Sequence, residues 1–149
     1  MKAKFFDEFQ LGEEYLSEKR MITIEDIENF AELSGDKNPL HMDEEYAKNT
    51  IHGRRIAHGA LVFSITTGLF NSIGMVDGTN IALIGHNYTF KKPVFPGDII
   101  YVTGTVKNMK ESRKPDRGVL TFQVNTYNQN DEAVIEGEWL YLMMRRNDM

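Results

Sequence analysis

His58-Gly59-Ala60-Leu61-Val62-Phe63-Ser64-Ile65-Thr66-Thr67-Gly68-Leu69-Phe70 is the stretch on which the fold turns. Its apolar residues face nearly every direction of a helix, broken only by Ser64, Thr66, Thr67 and Gly68. A helix apolar all round is normally surrounded by protein. His58-Gly59 opens this helix, and Gly74 is a good C-terminal stop. Polar residues and glycines interrupt the run from Ala60 to Met75, which is also too short to span a bilayer. The pattern therefore predicts a core helix that the rest of the chain must wrap.

The flanking sequence supplies the wrapping. Upstream, Thr23 to Leu33 reads as an amphipathic helix, with Thr23 as N-cap, Asp26 on the first turn, and Ile24, Ile27, Phe30 and Ala31 as its apolar stripe. Asp43 is placed to cap a short helix through Ala47, and Glu14 to Thr23 reads as a short strand. Downstream, four segments alternate like strands: Ile81–Lys92, Asp98–Met109, Gly118–Asn128 and Ala133–Met144. Short turns join them, which implies antiparallel pairing. Helices followed by strands predict an α+β fold, a long buried helix wrapped by a curved antiparallel sheet, in a single domain over residues 1–149.

Composition narrows the function. The 149 residues carry 17 basic and 22 acidic side chains, a net charge of −5, which offers no general attraction to nucleic acid. With no cysteine, there is no disulfide framework, thiolate nucleophile or cysteine-ligated metal. Met1 to Asp7 turns acidic before an apolar region develops, so no signal peptide is expected. A cytoplasmic protein that uses neither membrane nor nucleic acid is the expectation.

The reactive groups concentrate in Ser34-Gly35-Asp36-Lys37-Asn38-Pro39-Leu40-His41. Gly35 takes the positive φ that ends a helix, and Pro39 disfavours helical geometry at Asn38. Asp36 and His41 are thus expected on a tight loop past a helix end, facing one small volume. A carboxylate and an imidazole together suit proton transfer to or from water. Singly, Asp36 reads as a turn residue and His41 as a hydrogen-bonded core histidine. Together with Asn38, Pro39 and the His58-Gly59 helix start, they read as a site. His52, His58 and His86 are expected to serve structure, His58 as an N-cap or loop-packing residue. Their spacing holds no metal pattern, and no metal is expected.

Leu33 to His41 contains every fixed residue of a Gly-Asp-x-Asn-Pro-x-His run, and so resembles the signature of the MaoC-like, (R)-specific enoyl-CoA hydratases. Ile56-Ala57-His58-Gly59-Ala60-Leu61 and Phe90-Lys91-Lys92-Pro93-Val94-Phe95-Pro96-Gly97-Asp98 resemble two further blocks of that family. The resemblance implies the hot-dog fold, a homodimer or higher oligomer joined edge to edge, and a trans-2-enoyl thioester of coenzyme A or acyl carrier protein as substrate. No separate cofactor is implied. Asp36 and His41 would hold the water, in roles the sequence does not divide, and the Gly59 amide would face the thioester oxygen.

Around that implied site, Asn38 is expected to hold the loop and orient the substrate. Arg54, Arg55, Lys91 and Lys92 are the candidate cations for the coenzyme A pyrophosphate. Lys110, Arg113, Lys114 and Arg117 form a mostly basic hairpin that reads as solvated. Phe63, Ile65, Leu69, Phe70 and Met75 line an acyl tunnel or fill the core, with core as the default. Two rivals share the fold. A thioesterase needs water at the carbonyl carbon rather than C3, whereas the Asp36-to-His41 spacing follows the hydratase pattern. A non-catalytic acyl-thioester-binding subunit should lack the acid or the base, and this chain has both.

Overall fold

The expected core helix is α4, Gly59–Ser72, and of the six strands of an antiparallel sheet two precede it and four follow it. The computed structural model describes residues 1–146. In chain order the other elements are β1 (Glu14–Leu16), β2 (Arg20–Met21), α1 (Ile24–Ser34), α2 (Pro39–Met42), α3 (Glu44–Lys48), β3 (Asn80–Phe90), β4 (Ile99–Glu111), β5 (Arg117–Tyr127) and β6 (Ala133–Met144). A single 3-10 turn, Phe6–Glu8, precedes them. The sheet runs β1-β4-β5-β6-β3, with β2 also paired along β4. The expected Glu14–Thr23 strand is split, because residues 17–19 leave the ladder between β1 and β2. Among the described residues, no helix is long and apolar enough to cross a membrane.

Period-two burial drives the sheet. Along β5, Leu120, Phe122, Val124 and Thr126 are buried while their neighbours are not fully so, and β6 buries Trp139, Tyr141 and Met143 in the same way. Phe70, on the last turns of α4, meets this face. Its ring lies 5.1 Å from Phe122, 5.1 Å from Trp139 and 5.8 Å from Tyr141. Gly104 of β4 makes room for it, since a Cβ there would fall 2.6 Å from the Phe70 ring. Midway along α4, Thr66 Oγ1 donates to the Val62 carbonyl at 2.8 Å and so accepts from Thr126 Oγ1, also at 2.8 Å. That buried bond pins the helix to β5.

The wrapping is incomplete in one chain. Ala60, Ser64 and Gly68, spaced four apart on one side of α4, are exposed, and Phe63, Ile65 and Leu69 are only partly buried. Phe70 and Met75 are core residues, as the default reading held. β3 has β6 on one side only, and Ile81, Ile84 and Phe90 along it are exposed.

Caps fix the helices at the front of the site. Thr23 and Asp26 form the expected capping box on α1, and the Asp43 side chain accepts from Tyr46 N to cap α3. Asp98, buried in the turn after β3, accepts from Phe95 N at 2.9 Å and from Gln129 Nε2 at 3.0 Å. The same turn takes up the chain entering α4, with Ala57 N donating to the Val94 carbonyl at 2.7 Å.

Candidate active site

Three side chains meet at the head of α4. An oxygen of the Asp36 carboxylate and a ring nitrogen each of His41 and His58 all lie within 4.8 Å of one another. The sequence elements that bring them there are short. Gly35, at φ 80, ends α1 in the left-handed region and turns the chain so that Asp36 follows outside the helix. Asp36 Oδ1 then accepts from Asn38 N at 3.2 Å, and Asn38 Oδ1 accepts from Leu40 N at 3.1 Å. Asn38 is therefore the N-cap of α2, with Pro39 at its first position. His41 sits in that one-turn helix rather than on a loop as expected; proline at N1 and the Asn38 cap make a single helical turn favourable there.

His41 is almost buried, at 9% exposure, and its Nδ1 lies 2.8 Å from the Ile56 carbonyl. A carbonyl only accepts, so Nδ1 carries the proton and Nε2 of the neutral ring keeps its lone pair. The ring is thereby fixed as a proton acceptor at Nε2. Asp36, by contrast, is exposed.

His58 is more than the packing residue expected. It occupies the N-cap position of α4 but makes no side-chain cap bond. Its ring stacks on that of His41, centroids 4.0 Å apart at 28°, and Phe30 packs against it edge-on at 5.0 Å. Its Nε2 donates to the Asp36 main-chain carbonyl at 2.9 Å, which leaves Nδ1 as an acceptor, buried and without a partner among the described residues. An orphaned buried acceptor of this kind costs roughly 1–3 kcal/mol. Burial, ahead of the Asp36 bond that acts oppositely, holds the His58 pKa below the usual histidine value. The sequence offered one signal for this, the position of His58 directly before the helix that follows the Asp36 segment.

The same three groups are the donor set to weigh for a metal. One nitrogen of each ring already faces a main-chain carbonyl, that of Ile56 for His41 and of Asp36 for His58, which leaves His41 Nε2, His58 Nδ1 and the exposed Asp36 carboxylate as the atoms such an ion could reach.

A cavity of about 340 Å³ adjoins the cluster, lined among others by His52, Ile56, Gly59, Val62, Phe90 and Ile135. Asp36 and His41 do not line it; Ile56, whose carbonyl holds His41, and Gly59, next to His58, connect the two. Gly59 is the first residue of α4, where a backbone N–H has no acceptor within the helix. A Cβ at Gly59 would fall 2.6 Å from the far end of the Phe90 ring, a half-exposed side chain of β3 that can swing aside.

The candidate cations divide. Arg55 turns inward: Nε donates to the His41 carbonyl at 2.5 Å, and a buried Nη2 has no partner among the described residues. It braces α2 from behind. Arg54 lies over the Phe95 ring at 4.0 Å, exposed. Lys92 lines the cavity but pairs with Glu132, while Lys91 lines it and is exposed. His86 lies on β3, within the expected strand, exposed, with Phe63 at 4.9 Å and Tyr88 at 5.1 Å. Arg117 belongs to β5 and pairs with Asp116.

Known proteins share this arrangement of chain. The family model described as MaoC like domain matches residues 8–128. The 3-hydroxybutyryl-CoA dehydratase of Methylorubrum extorquens is 31% identical over 152 aligned positions, covering 99% of this chain and 89% of the relative. The (R)-specific enoyl-CoA hydratase of Aeromonas caviae is 31% identical over 129 positions, covering 87% of this chain and 91% of the relative. Among solved structures, the MaoC-like dehydratase of Rhodospirillum rubrum superposes with a TM-score of 0.90 at 28% identity, covering 98% of this chain and 100% of that one. The shared architecture is the hot-dog fold.

Proposed function

We propose, for a chain that belongs to the MaoC-like dehydratase family, that a water held by Asp36 and His41 adds to trans-2-enoyl thioesters, giving (R)-3-hydroxyacyl thioesters, or is lost in the reverse reaction. The observation that carries this reading is the convergence of the Asp36 carboxylate with a His41 ring whose proton is committed to the Ile56 carbonyl. Two acceptors then face one water, and both of its O–H bonds can be held while an oxygen lone pair stays free. The thioester carbonyl withdraws charge from C3, where that lone pair attacks. The pair takes one proton from the water as the C–O bond forms and returns a proton to C2 on the same face. The proton's way in and out is assigned to the two residues as a pair rather than divided between them.

As negative charge moves onto the thioester oxygen, the N-terminus of α4 is the natural donor. Its unpaired amide at Gly59 and the helix dipole both favour the enolate-like state. A lost donor of this type costs about 3–4 kcal/mol of barrier. The acyl group would occupy the cavity beside Gly59, and its about 340 Å³ lies near the small end of ligand pockets. A short acyl chain is therefore the first substrate to try. Carried by coenzyme A, its phosphates would meet Arg54, Lys91 and Lys92 at the exposed rim; an acyl carrier protein is the other carrier class. Asn38 holds the turn between the pair. A homodimer through the open β3 edge would cover Ile81, Ile84 and Phe90.

The test mixes purified protein with crotonyl-CoA and follows the conjugated enoyl absorbance and free thiol in parallel. Loss of absorbance without thiol is the expected result. Thiol release would instead mean hydrolysis, and no change with short or long chains would remove the enzyme reading.

A further inference from the structure

Of the four histidines His58 is the most deeply buried, and the hydration scheme above gives it no task. Filling space does not account for it. A phenyl ring would stack on His41 and meet Phe30 without leaving a buried nitrogen unpaired. What the imidazole adds is one hydrogen bond, from Nε2 to the main-chain carbonyl of Asp36. That carbonyl belongs to the residue whose exposed carboxylate accepts from the Asn38 amide and whose own amide donates to Ser34 Oγ, both contacts within its own turn.

We propose that His58 is the positioning residue of the Asp36–His41 pair: its ring stacks on His41 while its Nε2–H holds the Asp36 backbone, so one side chain sets the gap that the water must bridge. This rests on the hydratase reading. Both partners are fixed relative to the head of α4, the element that also offers the Gly59 amide. The titratable groups facing His58 are Asp36, on the turn after α1, and His41, on α2; Phe30 of α1 closes the remaining side. A neutral ring matters to the role, because a second positive charge stacked on His41 would oppose its taking a proton. Burial among Phe30 and the His41 ring shifts His58 toward the neutral form.

The test is steady-state hydration of crotonyl-CoA by the full chain, with His58→Phe and His58→Gln. Phenylalanine keeps the stack and loses the donor; glutamine places an amide N–H where Nε2 was. We expect His58→Phe to lower kcat at least about tenfold with KM changed less than about twofold, since displacement of a catalytic pair by about 1 Å can cost 100-fold. His58→Gln should recover most of the loss. Wild-type kcat in His58→Phe, a loss that His58→Gln does not relieve, or a rise in KM that accounts for the loss would each overturn the proposal. If His58→Phe does not fold, nitrogen-15 NMR of the unaltered protein decides. A neutral Nε2–H ring at pH 7 with a hydrogen-bonded ring proton supports the role, and a charged or Nδ1–H ring overturns it. An inactive wild-type protein would sink the hydratase reading itself; an active one matched by His58→Phe sinks only the positioning role.

Discussion

The two ends of α4 are built on opposite rules. At its C-terminal end Phe70 is sealed among Phe122, Trp139 and Tyr141, a dry aromatic core. At its N-terminal end, two stacked imidazoles, an exposed carboxylate and an inward-turned guanidinium crowd together, and His58 Nδ1 and Arg55 Nη2 are buried without partners among the described residues. Stability alone would not choose the second arrangement, because unpaired buried polar atoms cost free energy that an apolar core avoids. The tail of the helix therefore holds the sheet, while its head carries the groups to which the proposed function gives the chemistry.

Separating the two ends by mutation should give effects of different kinds. The largest is at the head: His41→Ala should cut turnover by about 100- to 10,000-fold, the usual range for a lost proton-transfer group, while the chain still folds. Next is the tail, where Phe70→Ala should destabilise the fold by about 3–5 kcal/mol in urea melts yet leave kcat near wild type at low temperature. If Phe70→Ala abolished turnover in protein that is still folded, the division between the ends would not hold.

A smaller effect probes the junction. Gly59→Ala brings a methyl group against the far end of the half-exposed Phe90 ring, which can swing aside, and should cost no more than about 1 kcal/mol. Pairing it with Phe90→Ala should return most of that stability; an unchanged deficit would mean that the ring is not what the methyl group meets. The smallest concerns pH. The folded-state pKa of His58 is held below the 6.5 of the unfolded chain, so above pH 6.5 the group adds no pH dependence. As pH falls below 6.5 the unfolded chain binds a proton that the folded ring refuses, and stability declines until the folded pKa is reached. His58→Phe should flatten that decline, as chemical denaturation at a series of pH values would show.

The architecture was legible because it is written in periodicity. The all-round apolar run at Leu61 to Phe70 and the alternation of Ala133 to Met144 each point to one element, and the structure has them at nearly those bounds. Asp36 and His41 were legible as a pair because Gly35, Asn38 and Pro39 are local signals that act within a few residues. The contacts of His58 were not. Its stack on His41 joins residues 17 positions apart and its bond to Asp36 residues 22 apart, and both depend on how α1 and α4 pack, which no local pattern encodes. The same holds for Arg55, which looks like a surface cation in sequence and turns inward to the His41 carbonyl. Lys92 likewise finds Glu132 only once β3 and β6 are paired.

Asp36→Asn isolates the claim that the head of the helix does chemistry. The substitution keeps shape and the backbone carbonyl that His58 holds, sits outside the core, and removes only the capacity to take a proton. Its turnover of crotonyl-CoA, measured beside wild type after both have been shown to melt at the same temperature, should fall at least about 100-fold. An Asp36→Asn protein that hydrates crotonyl-CoA at the wild-type rate would contradict the account.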